Sequence, residues 1–93
     1  MRGQAGELGF DGAPARTVDL KFAAAQGASI EVSFEPVGTT FRLEDEDFVF
    51  LRTSIAVVGS IEVVVWPNGI GVWVPYPGDY TILNRHGIEL DRL

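Results

Sequence analysis

Ile61-Glu62-Val63-Val64-Val65-Trp66-Pro67-Asn68-Gly69-Ile70-Gly71-Val72-Trp73-Val74 is the stretch that decides the fold class. Valine and tryptophan dominate it, residue types that suit a pleated strand, and Asn68-Gly69 separates two apolar runs as a hairpin turn does. Asn-Gly predicts a type I′ turn with positive φ at both residues. Pro67 then faces Ile70, Trp66 faces Gly71, Val65 faces Val72, Val64 faces Trp73 and Val63 faces Val74. In this register one face carries Val63, Val65, Val72 and Val74, and the other carries Val64, Trp66 and Trp73 over Gly71. Both faces are apolar, so the hairpin either lies between two layers or offers one face to a partner.

Working toward the N-terminus, Thr17 to Phe22 and Ser29 to Glu35 alternate polar and apolar side chains, turning Val18, Leu20, Phe22 and Ile30, Val32, Phe34 inward. The two runs are expected to pair as a hairpin across a loop at 23–28. Pro36 and Gly38 mark a turn before Thr39 to Leu43, which is expected to form a second hairpin with Phe48 to Arg52 across the acidic run Glu44-Asp45-Glu46-Asp47. Thr53 to Ser60 reads equally as a strand edge or a packed loop. Toward the C-terminus, Pro75-Tyr76-Pro77-Gly78 turns the chain, Asp79 to Asn84 returns as a strand, Asn84-Arg85-His86-Gly87 reverses it, and Ile88-Glu89-Leu90 is a short last strand. The expected fold is all-β: a small antiparallel barrel or rolled β-sandwich of about seven to eight strands at 16–93, with a flexible Gly-rich N-terminal arm at 1–15. Leu8 and Phe10 give that arm two apolar side chains with which to dock on the domain or on a neighbour.

Composition narrows the function. Thirteen Asp and Glu against seven Lys and Arg leave a formal charge of -6 over 93 residues, the wrong sign for neutralising phosphates, so direct nucleic-acid or anionic-membrane binding is not expected. With no cysteine there is no disulfide, thiolate metal site or cysteine nucleophile, and a domain this small gains from burying surface on a partner or on itself. No run reaches the length of a membrane span and the N-terminus lacks the apolar core of a signal peptide, which makes the cytoplasm the expected compartment. Six Arg to one Lys, with abundant Gly, Ala and Val, is the bias of a GC-rich genome, from which a bacterial source is expected.

No constellation selects a chemistry. His86 is the only histidine and sits at an expected turn, with no second histidine to share a metal, and none of Ser29, Ser33, Ser54 and Ser60 lies in a Gly-x-Ser-x-Gly nucleophile elbow. The run Glu44 to Asp47 lacks calcium-loop spacing, and its consecutive carboxylates point different ways. It reads as a solvated turn that protects a sheet edge, or as a contact for a basic partner. No enzymatic activity, cofactor or metal is expected.

The functional weight therefore falls on Val64, Trp66, Trp73, Tyr76 and Tyr80, since aromatic side chains bury large rigid area at little entropic cost. Whether the tryptophans are core or surface is left open by the sequence. The leading expectation is a non-catalytic protein-protein binding module, such as a small acidic inhibitor or immunity-type protein on a basic partner, using these residues with Glu44, Asp45, Glu46 and Asp47. The alternatives are a homo-oligomer subunit that buries the same hairpin face on itself, and a small-molecule-binding β-barrel gated by Tyr76 and Tyr80.

Overall fold

The computed structural model describes residues 16–93, so the arm expected at 1–15, with Leu8 and Phe10, lies outside the described residues. Eight strands follow in order: β1 Thr17–Ala23, β2 Ser29–Glu35, β3 Thr39–Glu44, β4 Phe48–Ser54, β5 Glu62–Trp66, β6 Gly69–Trp73, β7 Thr81–Leu83 and β8 Glu89–Arg92. A 3-10 helix at Ile55–Ser60 occupies most of the stretch that the sequence left ambiguous. Ser54 opens it, its Oγ accepting from the Ala56 N–H at 3.2 Å. Among the described residues no helix is long and apolar enough to cross a membrane.

The strands form two separate four-stranded sheets, β1-β4-β7-β8 and β3-β2-β6-β5. They do not close into the barrel, one of the two expected architectures, and one of the pairings, β2 with β6, is parallel where all are expected to be antiparallel. Neither of the expected N-terminal hairpins forms either. β1 pairs with β4, from Thr17 opposite Ser54 to Ala23 opposite Phe48, while β2 pairs with β3, from Ser29 opposite Glu44 to Phe34 opposite Thr39. Residues 17–54 are thus one long two-stranded ribbon that turns tightly at Pro36-Val37-Gly38 and folds over at a corner, so that its halves lie in different sheets. Alternation specifies which face a side chain takes but not which strand lies beside it, so the pairing differs from the expected one although the faces agree.

The corner shows why the acidic run is not a hairpin turn. Both chain segments cross it together, held by Ala24 N–H to Asp47 O at 2.9 Å and Asp45 N–H to Ala28 O at 2.8 Å. Asp45 and Glu46 take left-handed φ values of 41° and 68°, which short polar residues such as Asp tolerate best, and Gly27 opposite them has φ 76°. The Asp45 carboxylate accepts from the Gly27 N–H at 2.9 Å, tying the two bends to each other.

A hairpin attaches to each half of the folded ribbon. β7 joins β4 antiparallel, and β6 joins β2 in parallel from Glu31 opposite Gly69 to Glu35 opposite Trp73. The β5-β6 hairpin exists, but two residues out of the expected register: Glu62 faces Trp73, Val63 faces Val72, Val64 faces Gly71, Val65 faces Ile70 and Trp66 faces Gly69. Its loop is Pro67-Asn68, and neither Asn68 nor Gly69 has positive φ. Proline's fixed φ suits the first loop position of a type I turn with glycine following, which outcompetes the mirror-image turn that Asn-Gly alone favours. Gly69 serves another purpose, since a Cβ there would sit 2.5 Å from the Glu31 backbone oxygen, and the β2 chain can approach only a glycine so closely.

Both sheets turn apolar side chains into one core that contains Val32, Phe34, Leu43, Val49, Leu51, Val72 and Ile82. Phe34 lies near its centre, with Phe22 and Phe41 edge-on to it at ring distances of 6.0 and 6.1 Å. On the opposite face of the first sheet Arg52 donates to both Asp19 carboxylate oxygens at 2.8 and 2.9 Å. That bidentate hydrogen bond holds the Asp19 carboxyl below its ordinary range, slight desolvation acting the other way.

Two predictions follow from this packing. Gly69→Ala is expected to destabilise the domain by about 1–3 kcal/mol in urea unfolding, because the clash is with backbone and only strand separation relieves it. Asp19→Asn is expected to lower the melting temperature at pH 7. The folded carboxyl has the lower pKa, so its contribution is present above the ordinary carboxylate pKa of about 4 and disappears as pH falls through the folded value. The wild-type and Asp19→Asn melting curves should therefore converge in acid; a gap that persists there would assign the effect to packing.

Candidate functional site

The parallel β2-β6 contact builds a continuous outer face on the second sheet, and its residues can be read rung by rung. Trp66 of β5 lies beside Gly69 of β6, then Glu31 of β2, then Arg42 of β3. The next rung runs Val64, Gly71, Ser33, Thr40, and the third runs Glu62, Trp73, Glu35. Two tryptophans therefore share a face with Glu31, Glu35 and Glu62, although no two of these acids are close in sequence to both tryptophans.

Trp66 and Trp73 are surface residues, 38% and 45% exposed. The glycines determine how Trp66 lies. A Cβ at Gly69 would come within 2.9 Å of Trp66 Nε1, and one at Gly71 within 2.9 and 3.0 Å of its Cζ3 and Cη2, so the indole spans both positions and rests on the β6 backbone. Gly69 and Gly71 are buried beneath it. Trp73 Nε1 lies 3.6 Å from the same Gly71 position, which sets the second indole next to the first.

Polar side chains at the middle of this face are held in place. Ser33, buried on this outer side, donates from Oγ to Glu35 Oε2 at 2.6 Å and accepts from Thr40 Oγ1 at 3.3 Å. The Glu35 carboxylate, on the rung of Trp73, is thus oriented by a hydroxyl relay. Arg42 donates from Nε to Ser29 Oγ at 3.0 Å and lies 3.9 Å from Glu44, at the side of the sheet away from the tryptophans. The arrangement suits a cation, and a planar guanidinium best: indole faces attract guanidinium or ammonium groups and the carboxylates accept their hydrogen bonds.

The expected site residues do not all come together. Val64, Trp66 and Trp73 share the outer face, whereas Tyr76 is exposed in the loop after β6. Tyr80 is a correction to the expected contact set, because it is 1% exposed and belongs to the core. Its hydroxyl donates to the Pro75 carbonyl, and Gly78 lies so close that a Cβ would meet the ring at 2.8 Å, so Pro75 to Gly78 wrap around a buried phenol whose pKa desolvation raises. With Tyr80 in the core, the two tyrosines do not form a gate. Asp45, Glu46 and Asp47 lie at the ribbon corner beyond β3, not around the tryptophans, and Asp47 reaches Arg85 at 3.5 Å. The acids beside the tryptophans are instead Glu31, Glu35 and Glu62. Their alternation was visible in the sequence, but only the parallel pairing of β2 with β6 reveals that they meet Trp66 and Trp73.

His86 sits in the β7-β8 turn, which Asn84 organises by accepting from the His86 and Ile88 N–H groups at 2.9 and 3.0 Å. It lines a cleft of about 250 Å³ with Phe41, Phe48, Arg85 and Leu90, apart from the tryptophan face. Among the described residues no group of three or more His, Cys, Asp or Glu is placed to hold a metal ion.

The seat of Trp66 is directly testable. Gly71→Ala is expected to lift the indole off β6 and shift tryptophan emission to the red by several nanometres. Its loss of stability should be smaller than that of Gly69→Ala, since the obstacle is a side-chain edge and not backbone. Unchanged emission would place Trp66 elsewhere. Comparison with protein-family models, curated proteins and solved structures finds no match for this chain.

Proposed function

We propose that the chain is a non-catalytic protein-binding module that takes a basic segment of another protein on the outer face of the second sheet, in the manner of a small acidic inhibitor or immunity-type protein. The observation that carries the reading is the half-exposed pair Trp66 and Trp73 on the same face as Glu31, Glu35 and Glu62. Large rigid aromatics beside carboxylates, of which Glu35 is oriented by Ser33, are what a partner's arginine needs, a surface to stack on and an acceptor for its N–H groups. The net charge of -6 speeds approach of a basic partner from a distance. Glu44, Asp45, Glu46 and Asp47 contribute to that long-range attraction, and Tyr76 lies in the loop that leaves the Trp73 strand. The two sheets serve as the layers of a rolled β-sandwich, a rigid support for the contact face.

The test is a titration with a synthetic peptide of alternating arginine and leucine, followed by tryptophan fluorescence. Binding should weaken about tenfold or more between about 50 and 500 mM salt. Trp73→Ala should weaken it by roughly 30-fold, as expected for an aromatic hot spot. Glu35→Gln should also weaken it, whereas Glu46→Gln should alter mainly the association rate. Binding that is insensitive to both Trp73→Ala and salt would remove the support for this reading.

A further inference from the structure

β5 is an edge of the second sheet, and among the described residues it is paired with β6 alone. All five of its residues are exposed, including Val63 at 45% and Val65 at 74%. Natural edge strands are usually protected from pairing by charged side chains, and the other three edges among the described residues are. β1 carries Asp19 and Lys21, β3 carries Arg42 and Glu44, and β8 carries Glu89, Asp91 and Arg92. β5 has one charge, Glu62 at its start, followed by Val63-Val64-Val65-Trp66.

The backbone of β5 has a definite pattern. In a hairpin with a two-residue loop the closing pair, Trp66 and Gly69, exchanges its hydrogen bonds, and by alternation Val64 and Glu62 also turn theirs toward β6. Val63 and Val65 are left with N–H and C=O groups facing the open edge. A second copy of the same strand, antiparallel and centred on Val64, sets Val63 opposite Val65 of that copy and Val65 opposite its Val63. Every outward group then finds a partner.

Charge favours the same arrangement. Glu62 falls opposite Trp66 of the second copy, and the two Glu62 carboxylates stand about 14 Å apart, four residue steps of about 3.4 Å, beyond the Debye length at ordinary salt. A parallel arrangement would set them side by side. A basic strand would bring cations against Val63 and Val65, which offer them no acceptor, so this edge selects a neutral apolar strand and the chain supplies one.

We infer that β5 is a self-association edge, on which a second copy docks antiparallel through Val63, Val64 and Val65 to join two four-stranded sheets into one. The inference concerns the strand edge and is independent of the reading of the outer face, which stays open in the dimer and is doubled along one surface. One five-residue strand on another is expected to bury less than the roughly 1,200 Å² of a stable interface, so the dimer is expected at concentrations on the order of 10–100 µM. Each copy carries -6, so screening should favour association, the opposite of the salt response expected for a basic partner.

The test is sedimentation equilibrium of the full chain from about 5 to 300 µM at low and high salt. The expected result is a mass that rises toward twice the monomer's with concentration, with association several-fold stronger at high salt. Val65→Lys, at a position too exposed to affect folding, should keep the melting temperature and hold the mass at the monomer's. Trp73→Ala should leave the dimer intact while losing the arginine peptide, which separates failure of this inference from failure of the outer-face reading. A monomer at every concentration and salt would overturn the inference. So would a dimer that survives Val65→Lys, or one that Trp73→Ala dissolves.

Discussion

The close approach of two backbones at Gly69 is the constraint on which the second sheet depends. β2 and β6 are its central strands, and their parallel contact joins the folded ribbon of residues 17–54 to the β5-β6 hairpin. It begins at the hairpin loop, where the Glu31 N–H donates to the Asn68 carbonyl at 3.0 Å, and extends to the Val74 N–H, which donates to the Glu35 carbonyl at 3.0 Å. Parallel strands need a long connection, here everything from the end of β2 to the start of β6, so nothing local holds the two together. The backbone contact must do so, with Val32, Phe34 and Val72 buried beneath it. A side chain at residue 69 would open this seam at its first rung.

The same contact accounts for the outer face. With Gly69 and Gly71 on its outward side, β6 is a bare backbone track between β5 and β2, and a large flat side chain from the neighbouring strand can lie across it. Trp66 occupies that place. Had those positions carried side chains, Trp66 would stand up from the sheet, and Trp73 would be separated from it by whatever filled residue 71. The glycines thus serve two purposes at two positions: Gly69 admits the β2 backbone, and Gly71 admits an indole. Neither is used for positive φ, the usual reason for glycine near a hairpin loop.

What the sequence revealed and what it concealed divide along a physical line. Period-two alternation is a property of one strand in contact with one core, so the inward sets Leu20-Phe22 and Ile30-Val32-Phe34 are legible, as is the all-β class, whereas Val18 at the start of β1 is half-buried and lies outside that core. Partner choice depends on two segments at once. The linkers at 24–28 and 45–47 each resembled a turn, but their main-chain groups bond each other across a corner, and the tight turn is Pro36-Val37-Gly38 between them. Asn68-Gly69 misled for a related reason: a strong local signal was overridden by the proline before it and by the needs of β2 beside it. The two-residue shift preserves parity, so the faces of the hairpin were read correctly even though the partners were not. Alternation sets Tyr80 on the side of Ile82, but its burial is not legible in the sequence, because its hydroxyl is satisfied by the Pro75 carbonyl only once the loop closes over it.

Burial across the second sheet shows where its own core ends. Along the inward rung Phe41, Val32, Ile70, Val65, the side chains are half-buried, fully buried, half-buried and then 74% exposed. The neighbouring rung passes from buried Phe34 and Val72 to Val63 at 45%. The core is therefore centred under β2 and β6 and runs out before β5. A strand that lies past its own core would ordinarily turn polar on both faces, since neither is then removed from water. β5 remains apolar on both. Among the described residues its inward valines gain little burial, and a neighbouring strand along the open edge would continue the sheet beside them.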